Sequence, residues 1–323
     1  ESGSCPKQRE GAGFVVRRPV GGVNGYCDPF IMLDHFGPTT WAPGEAIGAP
    51  SHPHRGFETV TYMLKGSGVH KDSHGNTGYL GPGWVQWMTA GSGIVHSEMP
   101  SPEMLEKGGE SEGFQLWVNL AAKDKMTTPR YQDTPPEDIP VLESQDIYIK
   151  VIAGSATLDE KTVESPIQTR FPILYLDLRI KNGGVSYEVP LPADFDGFVY
   201  CYRGKAIING QDMVEGKTAL LQESSSKEEE EEKEVTEVIV VESKDDDSEC
   251  CVLVVCGRPL REPISQYGPF VMNTREEIMQ AIRDYQNGDF GTVDGGDEEM
   301  KLTQQAKMAQ KASGRWERDN KEL

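Results

Sequence analysis

Basic residues are scarce in this chain of 323 residues: 32 Lys and Arg stand against 52 Asp and Glu, a net charge of −20. A surface with that balance repels a phosphate backbone, so direct binding to nucleic acid is not expected of the chain alone. Any role near DNA would run through another protein. Long apolar runs are also missing. No stretch approaches the length of a membrane span, and none near the start looks like a signal peptide. The first residue is Glu1 rather than Met, which leaves room for an upstream targeting segment. Cysteine is limited to Cys5, Cys27, Cys201, Cys250, Cys251 and Cys256, with no CxxC spacing. The last three bracket Val252–Val255, which reads as a buried strand. Small buried thiols in a reducing compartment are expected, with a redox switch as the other reading. Histidine is confined to the first part of the chain, and none follows His96.

What is present suits a globular protein on the polar side, 37% hydrophobic and 26% charged. The length allows two ordinary domains or one large one. Five of the six histidines fall between Ser51 and Pro100. Two short pairs frame that stretch, His52-Pro53-His54 and His96-Ser97-Glu98. On a strand, i, i+2 spacing puts both side chains on one face, roughly 7 Å apart along the backbone. Two such strands side by side in a barrel turn three imidazoles and a carboxylate toward one interior point, a set that suits a first-row metal ion. A hydrogen-bonded polar core is the competing reading. Thr59–Leu64 and Trp84–Thr89 between the pairs are β-branched, aromatic and aliphatic, as strands are. His70 and His74 lie in a Gly-, Ser- and Asn-containing run that reads as a solvated loop. His35 reads as a structural hydrogen-bonding residue. Arg55 should face away from the metal ligands, out of the pocket and toward a partner surface.

The segments HPHRGFETVTYML (52–64), VQWMTAGSGIVHSEMP (85–100), GFQLWVNL (113–120) and PLREPISQYGPFVMNTREEI (259–278) together resemble the pirin family, a branch of the cupins. The resemblance covers most of the chain and fails in the acidic run near 223–249 and in the tail. It implies an all-β fold of two cupin-type barrels (a bicupin) with a short C-terminal helix, and metal in the N-terminal barrel only. It places the metal ligands on His52, His54, His96 and Glu98. Glu58 occupies the position of the glutamate in the generic first cupin motif, but in pirin-like proteins that residue is not a ligand. The generic second motif appears as Gly91-Ser92-Gly93-Ile94-Val95-His96, without its proline. The resemblance favours Fe2+ as the one divalent ion. It implies either quercetin 2,3-dioxygenase-type chemistry on a flavonol, or nuclear transcriptional co-regulation through protein partners that respond to the iron. A nuclear or cytoplasmic monomer is expected, with no membrane partner. Ligand type alone does not choose among Fe, Mn, Ni, Cu and Zn. Glu98 is also a candidate base toward a substrate hydroxyl.

Along the chain, residues 1–132 read as the metal-binding barrel, 133–145 as a linker and 146–323 as a cupin-like barrel without a metal site. Residues 37–50, with three prolines and three glycines, read as a long loop that could line the cavity mouth. Phe114–Leu120 alternates like a half-buried strand, with Gln115 either turned into the pocket or on a polar outer face. Short strands are expected at 147–152, 173–180, 184–190, 197–202, 206–210 and 252–255. The insertion 223–249 carries five consecutive glutamates, Glu228–Glu232, which cannot build a core. It reads as a solvated loop or a docking site for a basic partner, with Val235–Val241 as an exposed hairpin strand. Asn273 or Thr274 should cap a helix that buries Ile278, Ala281, Ile282 and Tyr285 on one face and stops at Gly288. The polar tail around Met300–Lys311 is helix-prone and expected to order on binding.

Overall fold

A computed structural model describes residues 3–10, 13–22, 25–221, 236–244 and 249–322. The five consecutive glutamates, and most of the expected acidic insertion, lie outside the described residues. Contacts group the chain into two units. One comprises 6–18, 32–136 and 261–323, the other 1–5, 19–31 and 137–260. This differs from the sequential division expected at 133–145, because residues after 260 return to the first unit.

In the histidine-bearing unit, two antiparallel sheets carry the site. The smaller runs in the order Ala49–His54, Ile94–Pro100, Gly68–Asp72, Thr77–Leu80. The larger has seven strands, among them Arg130–Thr134, Val85–Thr89, Phe57–Lys65, Gly109–Asn119 and Phe30–Trp41 as successive neighbours. The last of these extends to Trp41, so the loop before the first histidine pair is shorter than expected. Register in the larger sheet aligns Gln115 with Thr61, Thr61 with Gln86, and Gln86 with Asp133. Because side chains alternate faces at period 2, these four form one polar row on one face. Glu58 points the other way. It is buried and accepts hydrogen bonds from Trp87 Nε1 (2.9 Å) and Thr89 Oγ1 (2.5 Å).

Helix α1 (Pro102–Lys107) starts at Ser101, whose hydroxyl accepts from the Met104 N–H. Helix α2 (Arg275–Asn287) is capped by Thr274, in a reciprocal box with Glu277, and ends at Gly288 in the left-handed conformation. Ile278 and Ala281 are buried as the periodicity predicts, whereas Tyr285 is exposed. The polar tail forms α3 (Gly296–Ala312) and α4 (Arg315–Glu322) within the chain itself. Helix α3 packs on the Ala49–His54 strand and buries Glu299, Thr303, Ala306 and Gln310. No binding partner is needed to account for its order.

The second unit is built mainly on a seven-stranded and a four-stranded antiparallel sheet. Ser186–Pro192 alternates exposed and buried residues along its whole length, the pattern of a strand with one wet face. Its neighbour is Thr236–Ser243, which pairs on its other side with Lys205–Ile208. The expected exposed hairpin strand is therefore an inner strand, and its Ile239 and Val241 join the core with Leu176, Val199 and Val254. All six cysteines are buried and unbridged. No helix among the described residues is long and apolar enough to cross a membrane.

Candidate metal centre

His52 and His54 lie on Ala49–His54, and His96 lies on the adjacent Ile94–Pro100, directly opposite His52. The i, i+2 spacing and this register bring the three rings together, with centroids 4.7 Å (His52–His54), 4.4 Å (His52–His96) and 5.0 Å (His54–His96) apart. Each offers a nitrogen within 4.8 Å of the others. His52 Nδ1 lies 2.9 Å from the Pro50 carbonyl, a bond that puts the proton on Nδ1 and leaves Nε2 as a lone pair. Both ring nitrogens of His96 are buried without a hydrogen-bond partner. Burial, reinforced by the neighbouring imidazoles, holds His54 and His96 well below the usual histidine pKa. Burial thus favours the neutral form of His54 and His96, and the three converging imidazoles fit a divalent cation. Among the described residues no second such cluster is present.

Glu98 is not one of the three converging groups, but it shares their face of the strand. Its carboxylate accepts from Gln115 Nε2 (3.1 and 3.2 Å) and Thr61 Oγ1 (3.2 Å). Gln115 therefore points inward. A wall of flat rings lies on the other side: His54 is edge-on to Trp117 (5.3 Å) and Phe57 (5.1 Å). His52, Glu98, Gln115 and Trp117 are each half-buried, so the cluster has an open side. A groove of about 300 Å³ lies elsewhere in this unit, lined in part by Lys7, Arg17, Trp41, Arg315 and Asp319, with none of the histidines on its walls.

Two histidine readings divide here. His74 is exposed in a turn, as expected. His70 is not in a loop. It lies on Gly68–Asp72 opposite Glu98, is buried, meets Asp133 Oδ2 at 3.1 Å and stacks on Tyr131. The turn residues begin only after Asp72, which the glycine at 75 signalled but did not place. His35 is buried, 3.6 Å from Glu112 and against Phe114, a structural setting. Arg55 does face away from the cluster, but not onto an open surface. It is buried, pairs with Asp284 of α2 at 2.6 Å, donates from Nε to the Ser92 carbonyl and lies over Phe290. Lys125, which the sequence did not mark, is also buried. Its ammonium donates to the carbonyls of Gly56 and Val271 and to Asn119 Oδ1, joining the segment after His54 to the C-terminal one.

The Pirin family model matches residues 13–118, and the model of the Pirin C-terminal cupin domain matches residues 175–291. A pirin-like protein of Solanum lycopersicum is 41% identical over 88% of the chain and 89% of its own length. Human pirin is 41% identical over 88% of the chain and 91% of its own. Among solved structures, a quercetin 2,3-dioxygenase of Acinetobacter baumannii superposes with a TM-score of 0.78 at 34% identity, covering 90% of this chain and 97% of that one.

Proposed function

The chain belongs to the pirin family of cupin proteins, and from that premise we propose that it holds one Fe2+ ion and oxidises a flavonol. The ligands in this reading are His52, His54, His96 and Glu98. The observation that carries it is the convergence of three imidazoles beside a carboxylate that Gln115 and Thr61 hold in place. The similarity to a quercetin 2,3-dioxygenase supports the substrate class.

Bound iron would supply a Lewis acid and a redox couple. The chain's own residues do the rest. His54 and His96, which burial keeps neutral, can offer ring nitrogens to the ion without first losing a proton, and His52 offers a third. Glu98, through a carboxylate oxygen, takes the proton of a substrate hydroxyl. Gln115 and Thr61 donate to that carboxylate and fix its orientation. Trp117, half-buried beside His54, offers a flat apolar surface that suits an aromatic ring.

Oxygen uptake by Fe(II)-reconstituted protein given a flavonol tests this reading, with iron content measured alongside. Uptake lost in both His54→Ala and Glu98→Ala supports it. Absence of uptake by fully iron-loaded protein overturns catalysis on flavonols. The iron-dependent co-regulator reading then gains, and partner affinity should follow the iron oxidation state.

A further inference from the structure

The two strands that carry the histidines are not in simple register. Between the His96–His52 and Glu98–Ala49 pairs, Pro50 and Ser51 stand opposite the single residue Ser97. A bulge of this kind re-aims the side chains beside it. Here it lies between the positions that present His52 and His96 and the one that presents Glu98. With His96 and Glu98 turned inward, Ser97 turns outward, and α3 covers it there.

The contact is polar and specific. Ser97 Oγ donates to Glu299 Oε1 at 2.8 Å, and both side chains are buried. One turn earlier on the same helix, Gly296 lies against Ser51, where an added Cβ would meet the serine at 3.6 Å. The first turn of α3 therefore sits over both sides of the bulge. A carboxylate is an expensive cover. Glu299 is 5% exposed, its Oε2 has no hydrogen-bond partner, and the nearest cation, Lys71, is 4.0 Å from Oε1. Thr303 Oγ1, one turn further along, is also buried without a partner. The adjoining cover under α2 includes an apolar cluster of Val95, Phe270, Ile278, Phe290 and Val293. A leucine at 299 would avoid the desolvation cost but could not hold Ser97.

We propose that Glu299 is a positioning residue of the metal centre, gripping Ser97 and so pinning the bulge that sets Glu98 and His96 against His52. This rests on the reading of those residues as metal ligands. Glu299 acts through its acceptor oxygen. Glu299→Gln keeps that oxygen, and Glu299→Leu and Ser97→Ala each break the bond.

The test is Co(II) titration of the metal-free full-length protein, read by the visible d–d spectrum, with thermal unfolding of each metal-free variant beside it. Glu299→Leu and Ser97→Ala should each weaken cobalt binding about tenfold and change the spectrum, as loss of an outer partner of a ligand set does. Glu299→Gln should restore both toward wild type. A merely structural role would lower the unfolding temperature and leave the spectrum of the cobalt form unchanged. Wild-type affinity and spectrum in Ser97→Ala, a small change that the fold should tolerate, overturn the proposal even if Glu299→Leu fails to fold. Cobalt binding that survives His54→Ala overturns the metal reading itself, and the positioning role with it.

Discussion

Stability of the metal-free protein should fall steeply as pH drops from about 6.5 to 5.5. His54 and His96 are buried, and burial with neighbouring imidazoles depresses both pKa values well below the ordinary 6.5. In the unfolded chain both would titrate near 6.5. Below that pH the unfolded state binds protons that the folded state refuses, so stability present above 6.5 is lost as pH falls. Each such histidine contributes a slope approaching about 1.4 kcal/mol per pH unit, and the two together about 2.7. This window lies above the range in which the carboxylates titrate. Urea unfolding of chelator-stripped protein at pH 7.5, 6.5, 6.0 and 5.5 measures the slope. His54→Ala should remove about half of it. A flat profile in wild type, or an unchanged slope in His54→Ala, would refute the picture of neutral, inward-turned imidazoles. The same protonation should release the bound metal below about pH 6, because imidazole ligands must be neutral.

Other substitutions probe the surroundings. Arg55→Met removes the ion pair of the buried guanidinium with half-buried Asp284 and the bond to the Ser92 carbonyl, and should cost about 2 kcal/mol in urea unfolding. Gly56→Ala should cost about 2–4 kcal/mol by the same assay. Its φ is +87°, and an added Cβ would fall 2.0 Å from the Val271 carbonyl oxygen. Gln115→Leu should weaken metal binding about tenfold by metal titration and, in the metal-saturated protein, reduce flavonol turnover by a similar factor, as loss of an orienting partner to Glu98.

Much of the fold and part of the site were legible because their signals are local. The spacing of His52 with His54, and of His96 with Glu98, puts each pair on one face of a strand whatever surrounds it. Alternation along Phe114–Leu120 announced a strand but left the direction of Gln115 open, since a polar residue on a half-buried strand can face either way. The strand at 68–72 was missed because its own residues are not strongly apolar and a glycine turn follows at once. His70 became a barrel residue only through pairing with Glu98 and through Asp133, which is 63 positions away.

The sequence by itself determined which strand faces carry His52 with His54 and His96 with Glu98, the all-β character, and the absence of a second imidazole cluster after His96, because residue type and period act within a few positions. Tertiary structure alone decided which of those faces meet. It brought residues 261–323 back onto the histidine unit, buried Arg55 under α2, and set Glu299 against Ser97 across 202 positions. No local pattern encodes such contacts. A buried carboxylate or guanidinium reads as a surface charge until the fold supplies the partner that offsets its desolvation.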